Sequence, residues 1–233
     1  MTGVARNRSS RDHGDATPLH TLTIECWFDF VCPWCWIGKR HLETAIDVLR
    51  ALRPDVAPEI VWHPYRLLPD TPRSGLSCDA FHRARLSGPD AVAARRAQAQ
   101  RTGRTAGIEF AFDRIRSMPN TYAAHALVSA AMACAASVDH GALVERLFIA
   151  YFVEGRDIGD VATLERIAIE SGMPSEMLPL RIDGRPDRSD RRFGHAHGDI
   201  AGVPAFRFGG QEALSGAQPS AVLLQAMLRS LDA

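Results

Sequence analysis

Two cysteines close together are the residues whose types and spacing point most directly to chemistry. Cys32 and Cys35 are separated by Pro33 and Trp34. A pair with this spacing supports two chemistries. Its thiolates can provide half of a tetrahedral zinc site, or the first sulfur can attack a substrate disulfide while the second resolves the mixed disulfide. The spacing alone leaves both open, so the surrounding elements must decide.

The flanking sequence places the pair at a junction between a strand and a helix. Residues 21–31 are rich in β-branched and aromatic residues and are apolar on both faces, which is typical of a central buried strand. Residues 36–52 carry apolar side chains at helical spacing. Cys32 is therefore expected at the helix N-terminus, where free N–H groups and the helix dipole stabilise a thiolate. Cys35 then lies one turn further in and is more buried, as a resolving thiol should be.

The zinc interpretation needs two further ligands. The sequence has no second CxxC, but His195 and His197 form a pair that could complete a Cys/His site. The tryptophans that flank the second cysteine, Trp34 and Trp36, and the strand-to-helix placement favour a redox dithiol, so we predict no metal. A non-catalytic zinc-binding module and a pair of reduced core thiols stay as alternatives.

The order of elements along the chain predicts an α/β fold. A β-α-β unit comes first, a long helical block follows, and a β-β-α unit ends the chain. The two end units can join into one sheet that carries the helical block as an insertion. We expect a disordered leader at residues 1–19, a sheet domain formed by residues 20–70 and 190–233, and an all-helical insertion at residues 71–189.

Composition excludes several classes of protein. The 233 residues are 46% apolar and 23% charged, which is ordinary for a globular protein. The net charge is zero, so no basic excess favours binding to nucleic acid. No segment is long and apolar enough to span a membrane, and no apolar run follows the polar N-terminus as in a secretory signal. The expected compartment is the cytoplasm, where structural disulfides are rare.

One long segment carries a family resemblance. The run FDFVCPWCWIGKRHLE resembles the active-site region of DsbA-like thioredoxin-fold proteins of the FrnE type. These proteins are grouped with 2-hydroxychromene-2-carboxylate isomerases and kappa-class glutathione transferases. The resemblance continues through IVWHPYRLLPD, FDRIRSMPNTYAAHAL, FVEGRDIGD and AGVPAFRFGG, and it covers nearly all of residues 21–231. It implies a thioredoxin fold with a large helical insertion, which agrees with the order of elements.

The resemblance also implies a substrate-binding element far along the chain. Pro204 corresponds to the cis-proline of the thioredoxin fold, which lies beside the dithiol. Val203 would then offer its backbone N–H and C=O to an extended peptide or to glutathione. We therefore expect a thiol–disulfide oxidoreductase or isomerase that acts on peptide or glutathione disulfides. It needs no bound cofactor, and glutathione can serve as its co-substrate.

One difference within the family group favours this interpretation. Isomerase and transferase members usually carry Ser at the position of Cys32 and bind glutathione without cycling a disulfide. This chain has Cys at both positions. The alternative function is a glutathione-dependent isomerase or transferase, or a polyketide-tailoring enzyme, on a small aromatic substrate. The expected partners are a disulfide-containing protein or glutathione, and the expected assembly is a monomer or a homodimer.

Several further residues are candidates for the site. Asp29 matches an acid in the family motif and is predicted to relay a proton for Cys35 or to accept backbone hydrogen bonds. Trp34 is expected to be partly exposed and, with Pro33, to contact substrate. His63 follows the second strand and is a candidate wall of the cleft.

Asn120 is a second candidate wall residue. For Asn120 the structural alternative is a helix N-cap, and for His63 it is a hydrogen-bonded structural histidine. The remaining cysteines, Cys26, Cys78 and Cys134, are predicted to be structural thiols.

Overall fold

The computed structural model describes residues 20–85, 88–133, 138–174, 200–211 and 213–232. The expected leader at residues 1–19, the histidine pair His195 and His197, and Cys134 lie outside these ranges. The predicted boundaries of the sheet domain and of the insertion stay predictions.

The elements follow the predicted α/β order. The first unit contains β1 (His20–Phe28), α1 (Pro33–Leu52) and β2 (Val56–Pro64). The block that follows contains β3 (Leu76–Ser77), α2 (Cys78–Arg85), α3 (Pro89–Thr105), β4 (Ser117–Met118), α4 (Tyr122–Ala133), α5 (His140–Phe152) and α6 (Val161–Glu170). The last unit contains β5 (Ala205–Phe208), β6 (Leu214–Ser215) and α7 (Ser220–Leu231). None of the helices in the described ranges is long and apolar enough to cross a membrane.

The segment expected to be all-helical also contains a small sheet. Strands β3 and β4 pair antiparallel, with Leu76 opposite Met118 and Ser77 opposite Ser117. Each strand has two residues, which is too short to show an alternating pattern in the sequence. This pairing connects the start of α2 to the segment before α4.

A mixed sheet with β1 at its centre holds the two end units together. The strand order is β2-β1-β5-β6, with β1 parallel to β2 and antiparallel to β5. Leu22, Ile24, Cys26 and Phe28 alternate along β1 and are buried in the main core with α1. Because β1 has neighbours on both edges and a helix on this face, its apolar run forms the centre of the fold.

Helix α1 contacts the sheet closely at Gly38. A Cβ atom at this glycine would lie 3.0 Å from Pro204 Cγ and 3.1 Å from Phe206 Cζ. Both distances are tighter than ordinary van der Waals contact, and Phe206 is completely buried. The absence of a side chain at Gly38 therefore lets the helix lie directly on the loop that precedes β5.

The other side of α1 contacts helix α5. The Trp36 ring is stacked near Phe148 and Phe152, with centroid distances of 5.9 and 6.1 Å. Its indole Nε1 donates a hydrogen bond of 2.8 Å to Glu145. Lys39, whose side chain is 2% exposed, reaches the same carboxylate at 2.8 Å. The buried ammonium group is compensated because it has a carboxylate partner, as buried charges require.

We expect Gly38→Ala to lower the free energy of unfolding by about 1 kcal/mol. A methyl group gains about 1 kcal/mol of helix propensity, but overpacking a rigid core position costs about 1–3 kcal/mol. Urea unfolding measures the difference. The control is Val48, an exposed position on the same helix, where the alanine variant should be more stable than the glycine variant. If Gly38→Ala raised the free energy of unfolding by as much as alanine exceeds glycine at position 48, the close contact at Gly38 would be contradicted.

Candidate active site

The dithiol lies where β1 turns into α1. Cys32 is the N-cap of α1, with extended backbone angles, and Pro33 is the first helical residue. The Cys32 N–H donates to the Asp29 carbonyl at 3.1 Å, and the Cys35 N–H donates to the Cys32 carbonyl at 3.1 Å. Proline suits this position because its ring presets the helical φ and its missing N–H is not needed in the first turn. The sulfur of Cys32 therefore lies at the positive end of a 20-residue helix.

The two sulfurs have different environments. Both cysteines are reduced and buried, with Cys32 6% exposed and Cys35 2% exposed. Burial raises the pKa of the Cys35 thiol well above its usual value, and the hydrogen bond and charge of Cys32 act in the same direction. Cys35 thus keeps its proton at neutral pH, while Cys32 holds the more accessible position.

Val203 and Pro204 lie beside the dithiol. The Val203–Pro204 peptide bond is cis, which the family resemblance implied. The Val203 carbonyl oxygen is 3.9 Å from the sulfur of Cys32. The Pro204 ring occupies the space next to Gly38 on helix α1. The structure therefore brings Val203, 171 positions away in sequence, and the adjoining Pro204 to the sulfur of Cys32.

Asp29 is a completely buried acid under the same turn. One carboxylate oxygen accepts a hydrogen bond of 2.7 Å from the Leu67 N–H. The other lies 3.3 Å from Nε2 of His125, which is itself 1% exposed. These two partners satisfy the carboxylate in the absence of water. No local sequence pattern indicates the contact with His125, because the two residues are 96 positions apart.

A cavity of about 660 Å³ lies next to Cys32, between the first turn of α1 and helices α2, α3 and α5. Its walls are mainly apolar and aromatic, and its polar side chains come largely from α2 and α3. The lining residues are Val31, Cys32, Pro33, Trp34, Leu67, Cys78, Phe81, His82, Val92, Arg95, Arg96, Gln98, Ala99, Phe112, Ile115, Met118, Tyr151 and Phe152. The predicted substrate contacts Pro33 and Trp34 lie in this wall.

Two predicted cleft residues lie elsewhere. His63 stacks on Trp27 with a centroid distance of 4.7 Å, and its Nε2 lies 3.2 Å from Glu25. Side chains alternate along β1 and β2, so this pair lies on the face of the sheet away from Cys26 and Phe28. The structure therefore does not bring His63 to the cavity.

The Asn120 side chain forms hydrogen bonds that join two segments of the fold. Its side-chain amide donates to the Thr71 carbonyl at 2.5 Å, and its oxygen accepts from the Tyr122 N–H at 3.0 Å. Helix α4 begins at Tyr122, and the Thr121 carbonyl accepts the first helical hydrogen bond from the His125 N–H, so Thr121 holds the N-cap position. Asn120 precedes the N-cap and joins the helix start to the loop at Thr71. Asn120 does not line the cavity beside Cys32.

Two other cysteines differ in their surroundings. Cys26 lies on β1, with its side chain buried in the main core. Burial raises the pKa of its thiol, and the charge of Lys39 opposes this shift. Cys78, predicted to be only structural, lines the cavity and lies 3.8 Å from a guanidinium nitrogen of Arg96. Within the described ranges, no three His, Cys, Asp or Glu side chains are grouped to hold a metal ion.

Comparisons with known proteins agree with this geometry. The family model of the DSBA-like thioredoxin domain matches residues 23–228. The uncharacterized protein YwbO of Bacillus subtilis (strain 168) is 26% identical over 193 residues, which are 81% of this chain and 88% of that protein.

Two solved structures share the fold. A probable DsbA oxidoreductase from Streptomyces coelicolor gives a TM-score of 0.76 at 23% identity, over 91% of this chain and 90% of that one. The cytosolic disulfide reductase DsbM from Pseudomonas aeruginosa, solved with GSH, gives a TM-score of 0.54 at 22% identity, over 89% of this chain and 99% of that one. These matches confirm the thioredoxin fold with its helical insertion.

The reduced protein should lose stability as the pH rises above about 8.5, the usual thiol pKa. Burial raises the pKa of Cys26 and Cys35 in the folded state. The unfolded chain therefore releases protons that the folded chain retains, and each such group lowers the free energy of unfolding by up to about 1.4 kcal/mol per pH unit. Urea unfolding between about pH 7 and pH 10, with reductant present, gives this slope.

The variant Cys26→Ala provides the control. Removing one titrating thiol should make the alkaline slope shallower, whatever the constant cost of the small space left behind. An unchanged slope would show that Cys26 does not contribute to the loss of stability at alkaline pH.

Proposed function

The chain belongs to the DSBA-like thioredoxin domain family, and we propose that it is a thiol–disulfide oxidoreductase in which Cys32 attacks and Cys35 resolves. One observation carries the proposal: two reduced cysteines lie at the N-terminus of one helix, the first beside an open cavity and the second buried behind it. The helix N-terminus stabilises the thiolate that attacks.

The reaction has two steps. The Cys32 thiolate attacks one sulfur of a substrate disulfide, which forms a mixed disulfide and releases the other sulfur as a thiolate. Cys35 then loses its proton and attacks the Cys32 sulfur, which releases the second substrate thiol. The substrate gains two electrons, and the protein is left with a Cys32–Cys35 disulfide. A thiol reductant such as glutathione, acting as co-substrate, regenerates the dithiol.

Asp29 is proposed to relay the proton of Cys35. The thiol of Cys35 is held protonated by burial, so the second step needs a nearby acceptor. The Asp29 carboxylate is buried under the same turn, and its charge contributes to the raised pKa of Cys35. His125 and the Leu67 N–H orient this carboxylate through its two oxygens.

We further propose a cytoplasmic role with glutathione or a peptide disulfide as the partner. The likeness to a cytosolic disulfide reductase solved with GSH supports this choice. The carbonyl of Val203 beside the Cys32 sulfur also suits strand-like pairing with an extended substrate.

A second candidate function is a glutathione-dependent isomerase or transferase that acts on a small aromatic molecule. The observation in its favour is the cavity, whose walls include Phe81, Phe112 and Phe152 next to Cys32. This reaction would use one sulfur only, so its rate would not require Cys35.

Exchanging each cysteine for serine separates the two functions. We expect Cys32→Ser to abolish reduction of glutathione disulfide and of insulin. Cys35→Ser should lose turnover but accumulate a mixed disulfide at Cys32, because the attacking sulfur stays while the resolving sulfur is gone. Mass spectrometry of the trapped adduct checks the assignment. Full turnover of both disulfides by Cys35→Ser without an adduct would contradict the dithiol mechanism and leave the function that needs one sulfur as the remaining candidate.

Asp29→Asn should slow the second step more than the first. Asparagine keeps the acceptor for the Leu67 N–H but cannot take a proton, and loss of a positioned base costs about a hundredfold or more. Single-turnover kinetics separate formation of the mixed disulfide from its resolution. The resolution rate of the variant should recover as the pH rises, because hydroxide then deprotonates Cys35. Equal slowing of both steps, with no recovery at alkaline pH, would mean that Asp29 only supports the fold.

A further inference from the structure

We propose that the cavity beside Cys32 binds a small aromatic disulfide that carries a carboxylate, and that Arg96, assisted by Arg95, binds that carboxylate. This inference rests on the proposed function, because Cys32 must attack the disulfide. It adds the substrate class and the residues that select it.

The size and walls of the cavity match a small aromatic molecule. Its volume of about 660 Å³ lies within the range of about 300–1,000 Å³ that is usual for small-molecule sites. Three phenylalanines, Phe81, Phe112 and Phe152, provide aromatic surface. Neither Val203 nor Pro204 lines it. The cavity is therefore a different surface from the backbone that would pair with an extended peptide.

The charge in the wall has one sign. Arg95 and Arg96 lie in the lining, and no Asp or Glu is among the lining residues. Asp79, in the first turn of α2, is exposed and outside the lining, and its charge reaches His82 and Cys78 in the wall. His82, also in the wall, is neutral near pH 7 because burial and the charge of Arg96 lower its pKa. The positive charge of the cavity therefore comes from the two arginines.

The Arg96 guanidinium has contacts that leave it free to bind an anion. It lies 5.9 Å from the centre of the Phe112 ring and 3.8 Å from the sulfur of Cys78. Within the described ranges, neither Arg95 nor Arg96 has a carboxylate within 4.0 Å. Arg40 and Arg146, by contrast, are paired with glutamates. A half-buried guanidinium over an aromatic ring binds a planar carboxylate well, because it can donate two parallel hydrogen bonds.

The aromatic wall and the arginines of the cavity fit one reaction at Cys32. A disulfide whose aromatic ring lies against the phenylalanines places its sulfur near Cys32, with its carboxylate toward α3. Attack by the Cys32 thiolate forms a new S–S bond, and the other substrate sulfur leaves with the electron pair of the broken bond as an aromatic thiolate. Cys35 then resolves the mixed disulfide as in the proposed function.

Two aromatic disulfide probes, one dianionic and one neutral, test the inference, and the effect of each variant is compared between them. The dianionic probe is 5,5′-dithiobis(2-nitrobenzoate), and the neutral probe is 2,2′-dithiodipyridine. The measurement is the second-order rate of reaction of the reduced full-length protein with each probe at low salt. The variants are Arg96→Gln and Arg95→Gln. The control is Arg101→Gln, which removes the same charge from an exposed position on α3 outside the cavity.

We expect Arg96→Gln to lower the rate of reaction with the dianionic probe about tenfold and to change the rate with the neutral probe less than twofold. Arg95→Gln should lower the rate with the dianionic probe by a smaller factor. Arg101→Gln should change neither rate by more than twofold. A nonreactive carboxylate, 4-nitrobenzoate, should compete with the neutral probe in the wild-type protein and compete more weakly in Arg96→Gln.

Other outcomes would overturn the inference. Equal slowing of both probes would mean that Arg96 acts on the Cys32 thiolate or on the fold. If Arg96→Gln reacts with the dianionic probe at the wild-type rate, or if Arg101→Gln slows that reaction equally, Arg96 does not select the substrate. The adduct is located by mass spectrometry in the Cys35→Ser variant. If neither probe modifies Cys32, the proposed function fails as well, whereas reaction at Cys32 without charge selection overturns this inference alone.

Discussion

The site depends on the placement of helix α1, which contacts the sheet on one side and the helical insertion on the other. Gly38 brings the helix against Pro204 and Phe206. Trp36 and Lys39 connect it to Glu145 on α5. Because Cys32 is the N-cap of this helix, its sulfur takes its position from both contacts. A shift of α1 away from the sheet would separate Cys32 from the Val203 carbonyl and would open the buried side of Cys35.

Burial then gives the two thiols different chemistry. The peptide dipoles of α1 favour a negative charge at Cys32, which is the N-cap of the helix. Cys35 lies one turn inside the same helix, where loss of solvation keeps it protonated. The dithiol mechanism that we propose uses this difference, because Cys35 must lose its proton before it can act as a nucleophile. The buried carboxylate of Asp29 has its own partners in Leu67 and His125, so it stays oriented without solvent.

The sequence predicted the parts of this arrangement that depend on local pattern. The CxxC spacing, the buried strand before it and the periodic helix after it were enough to place Cys32 at a helix start. The apolar periodicity also indicated a helical block between the two end units, where the structure has helices α2 to α6. The cis bond before Pro204 was expected from the family resemblance alone, since most X–Pro bonds are trans.

Contacts between distant segments were not predictable from local pattern. The two-residue strands β3 and β4 show no alternation, and the contact of Asp29 with His125 joins positions far apart in the chain. His63 lies near the end of strand β2, but side-chain alternation directs it to the other face of the sheet. Nothing in the spacing of Arg96 or Cys78 places them opposite Cys32. Their position follows from how the insertion packs on α1.

This packing separates the groups around the dithiol from the residues that form the far wall of the cavity. Both sulfurs, the Asp29 carboxylate and the Val203 carbonyl come from the sheet domain and α1. The far wall of the cavity comes from the insertion, mainly from α2, α3 and α5. Side chains on α2 and α3 can change without disturbing the turn that holds Cys32, because that turn is hydrogen-bonded to Asp29 within its own segment. The sheet and α1 therefore determine the geometry of the two cysteines, and the insertion determines the shape of the cavity beside Cys32.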